Sequence, residues 1–236
     1  MSAGRPSQQD HVVDVWRVSL QPAELADGLR AHLSPDELER LRRLEGSDVG
    51  RRWLVSRGAL REILAQRLGV GPAEVRLRLD EHGRPRLDPD VHGADLDFNL
   101  SHSADLALVA TVRGARVGID VERLRPGRNP LRVADRFFST AEVAALRAFP
   151  PDDRPAAFLR YWTAKEALAK GLGLGLQAPR GELELAVMPG GTMVPVRLAQ
   201  EWRLVELNDL PRGYSGTLAV DDEATPIVSR DWQPGG

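Results

Sequence analysis

The chain holds only two lysines, so 30 of its 32 basic residues are arginine. Both lysines lie in one short stretch, Trp162-Thr163-Ala164-Lys165-Glu166-Ala167-Leu168-Ala169-Lys170. Arginine presents a planar fork, whereas lysine presents a compact, mobile point charge suited to phosphate oxygens. Ammonium groups kept at Lys165 and Lys170 in so arginine-rich a chain point to a bound anion. Glu166 and Lys170 stand at i, i+4 spacing, so on a helix both project from one face. The same spacing also describes a solvated surface ion pair, and the motif alone does not separate the two readings.

A second acidic motif lies upstream. In Gly118-Ile119-Asp120-Val121-Glu122 the two carboxylates alternate along a strand and point to one side of it. Paired carboxylates with Glu166 as a third suit a hard cation such as Mg2+, which takes oxygen ligands and keeps room for a substrate phosphate. A polar outer face on an edge strand is the competing account. Phe98-Asn99-Leu100-Ser101-His102-Ser103 joins a strand end to a polar turn. Ser101 and His102 are neighbours and so point apart on a strand, and no Gly-x-Ser-x-Gly elbow accompanies them, which excludes a hydrolase dyad between the two. Hydroxyls, backbone amides and an imidazole there suit an anion instead. His11, His32, His82 and His92 have no such context. Arg40, Arg42 and Arg43, then Arg51, Arg52 and Arg57, lie on two helices, and Arg84 and Arg86 flank Pro85. Most of these solvate helix faces, while a ligand with several phosphates would use a few of them.

The elements that must carry these residues are marked by local signals. Val12 to Leu20 alternates as a first strand. Ser34-Pro35-Asp36-Glu37 is a capping box that starts a helix to about Leu44. A longer helix runs from about Arg51 to Leu68, with Leu60, Ile63, Leu64 and Leu68 on its apolar side and Gly69 as its stop. Strands follow at Val75 to Leu79, Phe98 to Leu100 and Leu106 to Val112, with His82-Gly83-Arg84-Pro85 as a turn. The second half opens on a strand, Arg116 to Glu122, and then a loop from Arg123 to Pro130. Ser139-Thr140-Ala141-Glu142 is another capping box, heading a helix through Arg147. A helix from about Arg154 to Lys170 ends at Gly171, and a flexible loop is expected from Leu172 to Leu176. Glu182 to Val187, Trp202 to Leu207 and Gly216 to Val220 complete the strands, and Pro234-Gly235-Gly236 is expected to be disordered.

Composition narrows the class. A chain of 236 residues makes one large domain or two of about 120 residues each. A net charge of −2 argues against a broad nucleic-acid surface. The absence of cysteine excludes disulfides, zinc–thiolate sites and a cysteine nucleophile, and suits a reducing cytoplasm. Met1 to Asp10 lacks the apolar core of a signal peptide, and no apolar run approaches the ~20 residues that span a bilayer. A soluble, cytoplasmic protein without a membrane partner is expected.

The segment Leu60 to Gly69 lies over Ala164 to Gly173 with basic, Glu and Gly positions in step. Two similar α/β halves would give such a match, and so would any two amphipathic helices ending in glycine.

Taken in order, Gly83-Arg84-Pro85, Phe98 to Ser103, Gly118 to Glu122, Phe137-Phe138-Ser139 and Trp162 to Ala167 with Lys170 closely resemble the Sfp-type 4′-phosphopantetheinyl transferases. The likeness spans about residues 83 to 170, and the arginine-rich helices extend it upstream. The Trp and Lys-Glu-Ala wording is similar to the branch that serves polyketide and non-ribosomal peptide synthesis as well as fatty-acid biosynthesis.

The resemblance implies an α/β (α+β) monomer, a pseudo-dimer of two similar halves, 1–115 and 116–236, with a shared active-site cleft. It implies transfer of 4′-phosphopantetheine from coenzyme A to a serine of an apo acyl or peptidyl carrier protein, releasing adenosine 3′,5′-bisphosphate. Asp120, Glu122 and Glu166 look like ligands of Mg2+, with Mn2+ also suited to them. Asp120, Glu166 and Lys170 look catalytic, Glu166 as the base and Lys170 as the pyrophosphate contact. Ser101 and His102 look like contacts to the adenosine 3′-phosphate; Gly83, Arg84, Pro85 and Arg86 would flank the adenine; Arg40 and Arg52 would meet phosphates. Glu37 stands where some relatives carry a basic residue, which implies fewer coenzyme A contacts there. Phe137 and Phe138 are expected in the core, and Arg123, Arg125, Arg128 and Arg132 as a basic strip facing an acidic carrier helix. A coenzyme A-binding or carrier-binding module without turnover, and a magnesium-dependent coenzyme A phosphohydrolase, are the alternatives.

Overall fold

The computed structural model describes residues 12–21, 26–125, 127, 129–174, 183–196, 198, 201–222 and 224–235. The fold is α+β, and the chain divides into two units, 1–113 with 227–236, and 114–226. In chain order the first unit contains β1 (Val13–Ser19), α1 (Ala26–Leu29), α2 (Pro35–Arg42), α3 (Asp48–Leu68), β2 (Leu77–Leu79), β3 (Pro85–Leu87), α4 (Pro89–His92), β4 (Leu96–Ser103) and β5 (Leu106–Arg113). The second contains β6 (Val117–Arg123), α5 (Pro130–Phe137), α6 (Thr140–Ala148), α7 (Arg154–Leu172), β7 (Leu185–Val187), β8 (Met193–Pro195), β9 (Arg203–Glu206) and β10 (Tyr214–Val220). The last strand, β11 (Ile227–Asp231), returns to the first unit.

In the first unit the sheet order is β11-β1-β5-β4, with β11 parallel to β1 and the other pairs antiparallel. Arg17 fastens to Asp231 at 2.8 Å, Arg230 to Asp14 at 2.7 Å and the Trp232 indole to Glu62 at 3.1 Å. Leu60, Ile63 and Leu64 of α3 join Val18, Phe98 and Val109 of the sheet in one core. Burying each such side chain contributes about 1.5–3 kcal/mol. The Ser34 box forms as expected, with the Glu37 amide on Ser34 and the Ser34 amide on Glu37, but α2 ends at Arg42 rather than Leu44. Ser47 caps α3 through the Gly50 amide, which starts that helix at Asp48 instead of Arg51, and Gly69 ends it in the left-handed region. Where Val75 to Leu79 was expected as strand, a 3-10 turn over Pro72–Glu74 shortens it to Leu77–Leu79.

In the second unit the sheet order is β6-β10-β9, all antiparallel, and α7 packs on it. The contact is set by two glycines. A Cβ on Gly118 would fall onto the Ala167 carbonyl and the Gly171 amide, and one on Gly171 would enter the Trp202 ring. Gly171 is therefore an interior helix residue and not the expected stop. The helix continues to Leu172, where Gly173 caps it at φ 76°. Of the expected loop, Leu172 is thus helical, and residues 175–176 lie outside the described set, as do 1–11, Arg128, Glu182 and Gly236. Helix α5, capped by Asn129 with Pro130 at its first position, occupies part of what read as loop and connection. The Gly235 amide reaches Glu62 at 3.3 Å.

Candidate functional site

Strand β6 alternates as its spacing requires. Ile119 and Val121 turn one way into full burial, while Gly118, Asp120 and Glu122 alternate toward α7. Asp120 is 5% exposed, so the polar outer face weighed for this motif is excluded. Lys170 reaches across from α7 and donates to Asp120 Oδ1 at 2.6 Å and to the Ile119 carbonyl at 3.1 Å.

Glu166, one helical turn before Lys170, lies in the same field. Its carboxyl is pushed up to about 7, first by burial and then by the charge of Asp120; Lys170 opposes this and Glu122 adds to it. The structure thus brings Asp120, Glu122, Glu166 and Lys170 into one electrostatic cluster. Three carboxylates and one ammonium form an oxygen-rich, negatively biased set, whose donor chemistry fits a hard divalent cation. Among the described residues no three or more His, Cys, Asp or Glu side chains are already arranged to hold a metal ion.

Lys165 belongs elsewhere. Its ammonium donates to both Glu142 oxygens at 2.9 Å and to the Leu183 carbonyl at 2.6 Å, and lies 5.4 Å from the Phe138 ring centre. Glu142 is 1% exposed and also accepts the Ser139 and Leu185 amides. The expectation that both lysines serve an anion is therefore corrected. Three fixed acceptors use all three N–H donors of Lys165, which clamps α6, α7 and the segment before β7 together. The visible signal was the capping-box glutamate, whose second role the sequence did not reveal.

Phe138 is buried and stacks on Phe158 at 5.3 Å. Phe137 departs from its expected core place: it is 38% exposed and packs edge-on to Trp162 at 5.7 Å. A groove beside Glu122 is lined by Arg123, Arg125, Val133, Phe158 and Trp162. Arg123, Arg125 and Arg132 are exposed.

The remaining candidates lie in the first unit. Ser101 to Ser103 continue β4 and are not a turn, with Ser101 and Ser103 buried and His102 exposed. The turn follows at Ala104, whose φ of 51° is unusual for a residue with a Cβ. Gly83 closes the β2–β3 hairpin at φ 77°. Arg84 donates to the Phe98 carbonyl at 2.6 Å and pairs with Asp97, which also takes Arg86 at 2.9 Å. Burial pulls the Arg84 guanidinium down to about 10 against the charge of Asp97. Asp97 was not singled out in the sequence, yet it orients both arginines around Pro85. Arg52 pairs with Asp105 at 2.8 Å, and the guanidinium of Arg40 lies 5.5 Å from the Trp53 ring centre, with Arg57 at 5.8 Å. Glu37 holds Arg61 at 2.6 Å and Arg57 at 3.3 Å, so it organises arginines besides capping a helix.

Comparisons with known proteins cover both units. The profile of the 4′-phosphopantetheinyl transferase superfamily matches residues 116–208, and that described as 4′-phosphopantetheinyl transferase, N-terminal, matches residues 19–114. The 4′-phosphopantetheinyl transferase HetI of Nostoc sp. is 40% identical over 228 residues, covering 94% of this chain and 90% of its own. A 4′-phosphopantetheinyl transferase of Bacillus subtilis is 31% identical over 167 residues, 70% of this chain and 71% of its own. The L-aminoadipate-semialdehyde dehydrogenase-phosphopantetheinyl transferase of Rattus norvegicus is 28% identical over 176 residues, 71% of this chain and 57% of its own.

Proposed function

The chain belongs to the 4′-phosphopantetheinyl transferase superfamily, and we propose that it transfers 4′-phosphopantetheine from coenzyme A to a serine of an apo acyl or peptidyl carrier protein. The observation that carries this reading for these residues is the cluster of Asp120, Glu122, Glu166 and Lys170. The reaction joins the serine Oγ to the β-phosphorus and breaks that phosphorus's bond to the bridging oxygen. Adenosine 3′,5′-bisphosphate leaves with that oxygen.

Glu166 accepts the hydroxyl proton, a role suited to a carboxylate raised toward neutrality. Lys170 meets the pyrophosphate, where negative charge grows on the leaving oxygens. Asp120, Glu122 and Glu166 would hold Mg2+ or Mn2+. When bound, the ion supplies positive charge beside the pyrophosphate.

Gly83, Arg84, Pro85 and Arg86 flank the adenine in this reading, Asp97 fixing the two arginines. Ser101 and His102 take the 3′-phosphate, while Arg40 and Arg52 meet phosphates from α2 and α3. The groove beside Glu122 and its exposed arginines receive the acidic face of the carrier. Among the described residues no helix is long and apolar enough to cross a membrane.

The test is incubation with coenzyme A, Mg2+ and a panel of apo carriers, read by intact mass. A gain of one phosphopantetheine that EDTA abolishes supports the reading. Folded, coenzyme A-binding protein that modifies no carrier overturns it, and free phosphopantetheine without carrier modification would identify a hydrolase instead.

A further inference from the structure

Lys170 is held at β6 by two acceptors on consecutive residues, Asp120 Oδ1 at 2.6 Å and the Ile119 carbonyl at 3.1 Å. The shorter contact has the length of a charge-assisted bond. Asp120 is buried, and Glu166 and Glu122 share its field, so three carboxylates face one ammonium. A divalent cation matches the excess negative charge. A cation drawn to the Asp120 carboxylate would stand close to the ammonium already held on Oδ1, and like charges that close repel strongly where water is partly excluded.

We propose that Lys170 is the internal counter-ion of Asp120, displaced when a divalent cation binds, and that coenzyme A and the cation therefore bind cooperatively. The inference rests on the metal reading given above. The pyrophosphate offers Lys170 a new partner as the cation takes the carboxylate. Each ligand thus lowers the work of admitting the other, and the coupling is reciprocal. Lysine suits this exchange better than arginine, because its ammonium swings on a flexible stem while a guanidinium fork would stay docked.

The experiment titrates Mn2+ calorimetrically into the full chain, alone and with coenzyme A, with no carrier present. It compares wild type with Lys170→Met and, as a second form should Met disturb folding, Lys170→Gln. Arg147→Gln serves as the control, removing an exposed positive charge from the same unit but away from the cluster. The expected result is Mn2+ binding about tenfold tighter in the Lys170 variants than in wild type without coenzyme A, with a smaller further gain on adding it. Arg147→Gln should stay within about threefold of wild type.

Lys170 variants that bind Mn2+ no tighter, while wild type binds it with coenzyme A and Asp120→Asn does not, would refute the counter-ion and leave the metal site standing. An equal rise in Arg147→Gln would also refute it, since the effect would then be general field. No Mn2+ binding in any protein would remove both the inference and the metal reading.

Discussion

Gly118 on β6 and Gly171 on α7 approach so closely that a Cβ on the first would fall onto the Ala167 carbonyl and the Gly171 amide. That approach brings Glu166 and Lys170 over Asp120. Backbone atoms cannot swing aside as a side-chain tip can, so Gly118→Ala should lower stability by about 1–3 kcal/mol. Denaturant melts measure this. Transfer by the folded fraction should also fall, because α7 must shift to admit the methyl.

Glu166→Gln removes the proposed base and a proposed metal ligand while nearly keeping the side chain's shape. Transfer should fall by about 10²–10⁴-fold with the thermal midpoint at neutral pH no lower than wild type. Single-turnover intact mass and a thermal melt read both. Turnover like wild type would sink the role.

The same residue gives a pH signature with a definite sign. Its carboxyl titrates near 4.5 when unfolded and about 7 in the fold, so between those values the native state keeps a proton that the unfolded state has lost. Stability from this group is full below about 4.5, falls as pH rises through the window, and is gone above about 7. The melting temperature of wild type minus that of Glu166→Gln should therefore decrease from pH 4.5 to 7. A difference that rises over this range would contradict the burial of Glu166.

Glu142 and Lys165 form a buried pair whose halves are costly to leave alone. Glu142→Leu or Lys165→Met should each destabilise by about 3–5 kcal/mol, and the double substitution by clearly less than their sum. Urea titrations of the four proteins close the cycle. Additive losses would mean that the two side chains are not coupled.

Arg125→Glu with Arg132→Glu should raise the KM for an acidic carrier about tenfold or more and leave the KM for coenzyme A unchanged. Steady-state kinetics at two salt concentrations test it, the defect narrowing as salt screens the wild-type attraction. An unaltered carrier KM would move the docking surface elsewhere.

Much of this was legible in the sequence. Ser34 and Ser139 announced their helices because a capping box is local chemistry, and Asp120 with Glu122 shared a face because strand periodicity is two. What escaped were facts made by packing. Gly171 read as a stop because glycine usually ends helices, but here the missing Cβ serves Gly118 and Trp202. Lys165 and Lys170 looked alike in the sequence; only the burial of Glu142 and Asp120 separates a clamp from a site residue. Asp97 gave no signal, since its partners lie on the neighbouring hairpin. Strand β11 was missed as well, being short and largely exposed on its own, and defined by pairing with β1.

That pairing has a consequence during synthesis. A chain leaving the ribosome N-terminus first presents β1, α3, β4 and β5 well before β11 exists, because the whole second unit is translated in between. At ordinary elongation rates the edge from Val13 to Arg17 waits on the order of ten seconds for its partner. The second unit can close on itself in that interval, while the first keeps an unpaired strand edge open to the wrong neighbour. Completion of the first unit is thus tied to residues translated after the whole second unit, and a stalled ribosome would leave the first unit lacking one strand of its sheet.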